Sequence, residues 1–464
     1  MPMQLAMVLA LMGFAASASS PAFDVRDFGA KGDGQAKNTA QIQRAVDACS
    51  RQGGGEVVFR KGRYLTGMFF LRDNVTLRIE ADATLLGSAD CADYPTNAPL
   101  RHLDAAKTPR LRTTALIVAD ECSNVGIVGA GRIDCNGQAF VELSRNRENG
   151  YVNEGQAAKD AKPLGDDWTN WKYRRKPGLL SPPRMVLFAG CRNVRVEDVT
   201  LTNPAAGWGY WVNDCDTVVF RRAKVLADPE YPNNDGIHVN ASRDVSISDC
   251  DIVAGDDAII VRCNCRMLPR PRPCERVTVR DCRLRSHANC IRIGWLNDGT
   301  IRDCLFENLA MRDSAGGIGI EIPELAPGMS DYGCEASRWE GLTFRSITMD
   351  RIYSTPVRFI VERDDANIRV DAIRNLTFSN LVCRSALRFP TFKRLSGVPF
   401  ENILFKDCSF RRVPPSALPG NWRQKGAAYW WNADDERFDG FVGLRFDGCT
   451  FSTSDSNQEQ GGKP

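Results

Sequence analysis

The 464-residue chain has an ordinary globular composition, 43% hydrophobic and 25% charged, which excludes a disordered or fibrous protein. Its 60 Lys and Arg against 57 Asp and Glu leave a formal charge of +3, too small at this length to predict a nucleic-acid partner. Beyond the N-terminus no stretch reaches the roughly 18 unbroken apolar residues of a membrane span, so no membrane partner is expected either.

Residues 1–20 combine an apolar run from Leu5 to Ala16 with small residues in an A-x-A-like pattern ending at Ala18, which predicts a signal peptide and a secreted or periplasmic protein. A helix is expected next. Asn38 or Thr39 can N-cap the segment TAQIQRAVDACS, with Ile42, Ala45, Val46 and Cys49 along one face and Gly53 to Gly55 ending it. From about Arg145 to Pro183, with Trp168, Trp171 and a KYRRK run, the sequence fits no repeat and reads as a long loop.

Most of the rest repeats. Segments such as ISDCDI, VRDCRL, IRDCLF, FKDCSF and FDGCTF share one apolar alternation, starting at Ile247, Val279, Ile301, Phe405 and Phe446. Weaker copies, VEDVTL, FRRAKV, FRSITM and FSNLVC, start at Val196, Phe220, Phe344 and Phe378. The base period, in the low twenties and lengthened by insertions, holds two or three short runs alternating at i, i+2 and i+4 between Gly, Asn and Asp. Short strands at such a period mark a solenoid, so the expected fold is all-β, a right-handed single-stranded parallel β-helix with an N-terminal capping helix. It would fill residues 21–455, with 456–464 as a disordered tail. The 17 cysteines are an odd number, and most recur at one position of the repeat as small buried hydrophobes. Cys263, Cys265 and Cys274 break that pattern around RMLPRPRP, where a loop-closing disulfide is expected in preference to a metal site.

Two coils carry acidic turns, PNNDGIHV with Asp235 and AGDDAIIV with Asp256 and Asp257. Registered on the alternation that follows, Asp235 and Asp257 share a column of neighbouring coils roughly 4.8 Å apart, with Asp256 one residue earlier. An isolated Asp pair reads best as a Ca²⁺ site or a capped turn, but a third carboxylate at one-coil spacing favours catalysis. Mutual repulsion keeps one carboxyl protonated beside an ionised partner, the pairing glycoside hydrolysis requires. Of the three histidines, His238 shares a strand with Asp235, and His287 lies in the next coil, RSHANCIRIGW, where Asn289 continues the Asp235/Asp257 column. Arg292 and Trp295 of that coil are candidates for a sugar carboxylate and a sugar face, and a stacking role on a neighbouring turn explains Arg292 equally well.

These motifs, with FDVRDFGAKGDG and RQGGGEVVFRKGRYLTGMFFLRDNVTLRIEADATLLGS near the N-terminus, resemble the polygalacturonase family, glycoside hydrolase family 28. The resemblance implies an inverting hydrolase of pectin-type polysaccharide with no cofactor or metal, Asp256 as general acid, and Asp235 and Asp257 as bases that activate water. It puts Asn233, His238, His287, Asn289, Arg292, Trp295 and Glu321 at the substrate. Two departures follow. SHAN stands where the family has GHG, so Asn289 falls at the histidine position, and GGIGIEIP stands where an R-I-K grips the substrate carboxylate, so Gly319 and Glu321 replace two cations. A carboxylate at Glu321 would repel a uronate and accept hydroxyls of a neutral sugar. A polysaccharide substrate and a monomer are expected. A β-helix polysaccharide lyase and a non-catalytic carbohydrate-binding solenoid are the other function classes compatible with the repeat.

Overall fold

A computed structural model describes residues 21–95, 100–104, 107, 113–143, 173–176, 184–204, 207–294, 299–322, 337–361, 370–394, 400–418 and 443–454. The signal segment, the tail, Trp295 and most of the expected loop at 145–183 lie outside the described residues. Within that loop, Tyr173–Arg175 pairs antiparallel with Val141–Leu143.

Strands stack in parallel into a 23-stranded sheet, which carries two ladders, and a separate 10-stranded sheet. One coil is Trp208–Asn213, Asp216–Arg221 and Lys224–Leu226. The next is Ile237–Asn240, Arg243–Ser248 and Asp251–Ala254, each paired in register with its predecessor. Toward the C-terminus the two ladders merge, because Thr300–Ser314, Ser337–Ile352 and Val370–Ala386 run through the corner as single long strands. The chain is a right-handed parallel β-helix.

The repeat is legible in one column of registered residues: Val196, Phe220, Ile247, Val279, Phe306, Phe344, Phe378, Phe405 and Phe446. All but Phe446 are fully buried, and the phenylalanines from Phe306 to Phe446 stack ring on ring with centroids 4.3–4.9 Å apart. Two residues on, coil after coil, the backbone turns through the left-handed region at Asp198, Arg222, Asp249, Asp281, Asn308, Ser346, Asn380 and Asp407, with φ of 52° to 65°. Asp and Asn tolerate that conformation best among non-glycines, which explains the Asp of the D-C motif. The following residue then points inward: Ala223, Cys250, Cys282, Leu309, Ile347, Leu381 and Cys408 are all buried there. IRDCLF is not the copy expected at this position; Ile301 pairs with Cys274, and the true copy is FENLAM from Phe306.

The helix forms over Thr39–Arg51 with Ile42, Ala45, Val46 and Cys49 buried, but the Asn38 side chain makes no cap hydrogen bond to it. Asn38 instead bonds Lys31 and Ala36, tying down the preceding turn. Among the described residues the expected loop-closing disulfide is not formed. Sγ of Cys263 and Cys265 lie 3.7 Å apart, and both donate to the Arg272 carbonyl. Arg272 holds the loop by ion pairs with Asp214 and Asp216, so charge replaces a covalent bridge. Among the described residues no helix is long and apolar enough to cross a membrane.

Candidate active site

The acidic turns precede Ile237–Asn240 and Ile259–Arg262 in the 10-stranded sheet, and their register places Asp235 opposite Asp257 and Asp257 opposite Asn289. The expected column is thus present. Asn234, fully buried between the turns, accepts from Gly255 N at 2.6 Å and donates to the Asp228 carbonyl at 2.7 Å. A Cβ at Gly255 would sit 2.4 Å from Asn234 Oδ1, so only glycine lets the turns close this tightly. Ser286 completes the frame by donating to the Asp256 carbonyl at 2.5 Å.

One carboxylate oxygen from each of Asp235, Asp256 and Asp257 lies within 4.8 Å of the other two. Such a group can share protons or ligate a cation. Asn233 bridges two of them, donating at 3.3 Å to both Asp235 Oδ1 and Asp256 Oδ2. Asp235 and Asp257 are buried while Asp256 is the most accessible of the three. Burial, then the charges of Asp256 and Asp257, push Asp235 well above the ordinary carboxylate range. Burial and the charge of Asp257 raise Asp256 to about 6. Asp257 is raised by burial and opposed by the guanidinium of Arg292. It accepts from Asn289 N at 3.0 Å and Asn289 Nδ2 at 2.9 Å, and it is ion-paired with Arg292, whose Nε lies 3.0 Å from Oδ2. The cluster therefore retains protons on Asp235 and Asp256 most readily and charge on Asp257.

His238 Nε2 lies 2.8 Å from Asp235 Oδ2, and burial together with Arg262, Arg184 and Arg292 holds the imidazole well below its ordinary pKa, hence neutral. Its Nδ1 has no hydrogen-bond partner among the described residues, so the tautomer we assign carries the proton on Nε2 and donates to Asp235. Trp208 stacks on its face and Arg184 covers the other face of Trp208 at 3.3 Å, so this indole has no face left for a sugar. His287 is buried in the next coil. Arg292 and Glu321 are 7% and 1% exposed, and Glu321 is ion-paired with Arg358 of the following coil. The bare carboxylate expected at Glu321 is therefore neutralised. Sequence reasoning missed Arg358, Asn234 and the Arg184–Trp208 stack; the apolar alternation of WGYWVN would have put Trp208 in the Asp235 column one coil earlier.

Two family models match the chain: glycosyl hydrolases family 28 over residues 75–266, and rhamnogalacturonase A/epimerase, pectate lyase-like over 22–81. The first match spans both acidic turns. The chain is related to the family 28 glycosyl hydrolases. It is 28% identical to a probable polygalacturonase of Vitis vinifera, covering 64% of this chain and 56% of that protein. It is 28% identical to an exo-poly-alpha-D-galacturonosidase of Dickeya chrysanthemi, covering 51% and 41%. The chain thus spans about half the length of these two relatives. The family 28 exopolygalacturonase of Yersinia enterocolitica superposes with a TM-score of 0.65 at 19% identity, over 97% of this chain and 80% of that one. The family 28 match ends at residue 266, so Asn289, Arg292, Gly319, Glu321 and Arg358 all lie beyond it.

Proposed function

We propose that the protein is a glycoside hydrolase that cleaves a pectin-type plant cell-wall polysaccharide by acid/base catalysis, without a cofactor and as a secreted or periplasmic monomer. The observation that carries this reading is the group of three carboxylates, drawn from two adjacent coils, whose surroundings push their proton affinities apart. Asp256, the most accessible and raised to about 6, donates its proton to the leaving glycosidic oxygen. Asp257, with two donors from Asn289 on Oδ1 and the Arg292 guanidinium beside it, remains ionised. It takes a proton from the attacking water, beside Asp235, which His238 orients and which retains its own proton most readily. Asn233 touches both Asp235 and Asp256 and keeps donor and base in one geometry. Family resemblance implies inversion at the anomeric carbon.

Incubation with polygalacturonate, methyl-esterified pectin and rhamnogalacturonan-type oligosaccharides, with products weighed by mass spectrometry, tests the reaction. Saturated products heavier by one water support hydrolysis. Unsaturated products would assign a lyase, and binding without any product would assign a carbohydrate-binding solenoid. The anomeric proton signal of the first-formed product reports inversion.

A further inference from the structure

Beyond the acids lies a closed ring of five side chains, none more than 7% exposed: Asp257, Asn289, Arg358, Glu321 and Arg292. Asn289 donates to Asp257 Oδ1 through both its backbone N and its Nδ2. Arg358 Nη2 donates to Asn289 Oδ1 at 3.2 Å, and Arg358 binds Glu321 Oε1 through Nη2 and, at 2.7 Å, through Nε. Arg292 Nε closes the circuit, 3.7 Å from Glu321 Oε2 and 3.0 Å from Asp257 Oδ2. Two carboxylates, two guanidiniums and one amide make a ring that is neutral when Asp257 is ionised.

The ring exists because one side chain is missing. Arg292, Gly319 and Arg358 occupy one column of three successive coils. A Cβ at Gly319 would stand 2.5 Å from Glu321 Oε1 and 3.0 Å from Asn289 Oδ1, so any side chain there displaces two members. Through that gap Arg358 reaches Asn289, which is 69 residues away in sequence. Its guanidinium also fixes the Asn289 amide. A flipped amide would turn its NH₂ toward Arg358 and its oxygen toward the Asp257 carboxylate, and both contacts would be repulsive.

We propose that Arg358 is a positioning residue that acts through Asn289 to orient the Asp257 carboxylate, with Glu321 as its anchor and Gly319 as the opening that admits it. This rests on the hydrolase reading above. Arg358 stands in the column that Gly319 vacates and directs its Nε and Nη2 into the ring, so the charge serves the base instead of gripping a substrate carboxylate.

The test compares the parent with Arg358→Met and with the charge-balanced Arg358→Met/Glu321→Met, which leaves no uncompensated buried charge if the single variant fails to fold. Circular dichroism verifies folding. Losing the guanidinium loosens the donors on Asp257, so the acidic limb of kcat/KM against pH moves up by about one pH unit, with kcat reduced more than KM is raised. Gly319→Ala moves the same limb in the same direction. A several-fold rise in KM with an unmoved limb would mean that Arg358 grips substrate, and a pH-independent loss would mean a purely structural role; either overturns the proposal. A second readout needs no turnover: carboxyl titration by NMR of ¹³C-labelled aspartate, with Asp257 assigned through Asp257→Asn. If the Asp257 titration rises in Gly319→Ala, which keeps both charges, in a protein that hydrolyses nothing, the relay stands and the hydrolase reading falls. If the parent hydrolyses polysaccharide and the Asp257 titration is unchanged, the relay falls alone.

Discussion

Trp208 lies face to face with His238, ring centroids 3.6 Å apart and planes at 17°, and this stack presents the imidazole Nε2 to Asp235. The contact joins two adjacent coils, since Trp211 of the Trp208 strand is the registered partner of His238. His238→Ala should lower kcat roughly 10²-fold with a small change in KM, because Asp235 then loses the bond that aims it. Trp208→Leu should reproduce part of the loss. Steady-state kinetics on both variants check this; wild-type kcat in His238→Ala would remove His238 from the site.

Asp256→Asn should lower turnover by at least about 10²-fold at little change in volume, since the proposed proton donor is gone. Its effect on stability has a definite sign. The folded-state pKa, about 6, exceeds the ordinary 3.8, so the folded protein holds this proton more tightly than the unfolded chain, and stability falls as pH rises between those values. The variant removes that penalty. Its thermal midpoint should exceed the parent's at pH 7 and match it near pH 4, as scanning calorimetry would show.

The same proton sets the activity profile. With a general acid near 6, kcat/KM should fall as pH rises through that value, giving an optimum on the acid side of neutrality. A rate that stays flat to pH 8 would exclude Asp256 as the acid.

A different pH response is expected at His102, whose Nε2 lies 2.7 Å from Asp214 Oδ2. Burial would lower its pKa, but the bonds and charges of Asp214 and Glu121 more than reverse this, so the net shift is upward. The resulting stability is fully present below the unfolded value of 6.5 and lost as pH rises through the folded one. His102→Gln should therefore lower the melting temperature by about 2–4 °C at pH 5.5 and by less at pH 9. An equal loss at both pH values would show that the ion pair is not the cause.

Substrate choice follows from the two arginines. Arg292 is bound to Asp257 and Arg358 to Glu321, so neither is reserved for a ring carboxylate as the family's R-I-K is. Initial rates on unbranched polygalacturonate should be lower than on branched or uronate-poor pectic oligosaccharides. A clear preference for unbranched polygalacturonate would refute this.

The coil repeat was legible because a strand's alternation has a period of two and the interior accepts only one face of it. The same rule put Asp235, Asp257 and Asn289 in one column, since the intervening turns leave the register of Ile237, Ile259 and Ile291 intact. It failed at IRDCLF, where Thr300–Ser314 continues as one strand and offers two alternations, so that Cys304 is buried five residues ahead of Leu309, the true match to Cys282.

Sequence alone determined the fold class, the acidic cluster and its column, because these depend on local alternation repeated at a short period. Only the tertiary structure decided what holds each acid. The Trp208–His238 stack, the ion pairs of Arg272 with Asp214 and Asp216 and the ring through Arg358 join residues from different coils. Insertions of differing length separate those coils, so no fixed spacing encodes the contacts. Arg358 depends on more than distance, since it reaches Asn289 only because Gly319 has no side chain, and what an absent side chain admits becomes visible only when neighbouring coils are stacked.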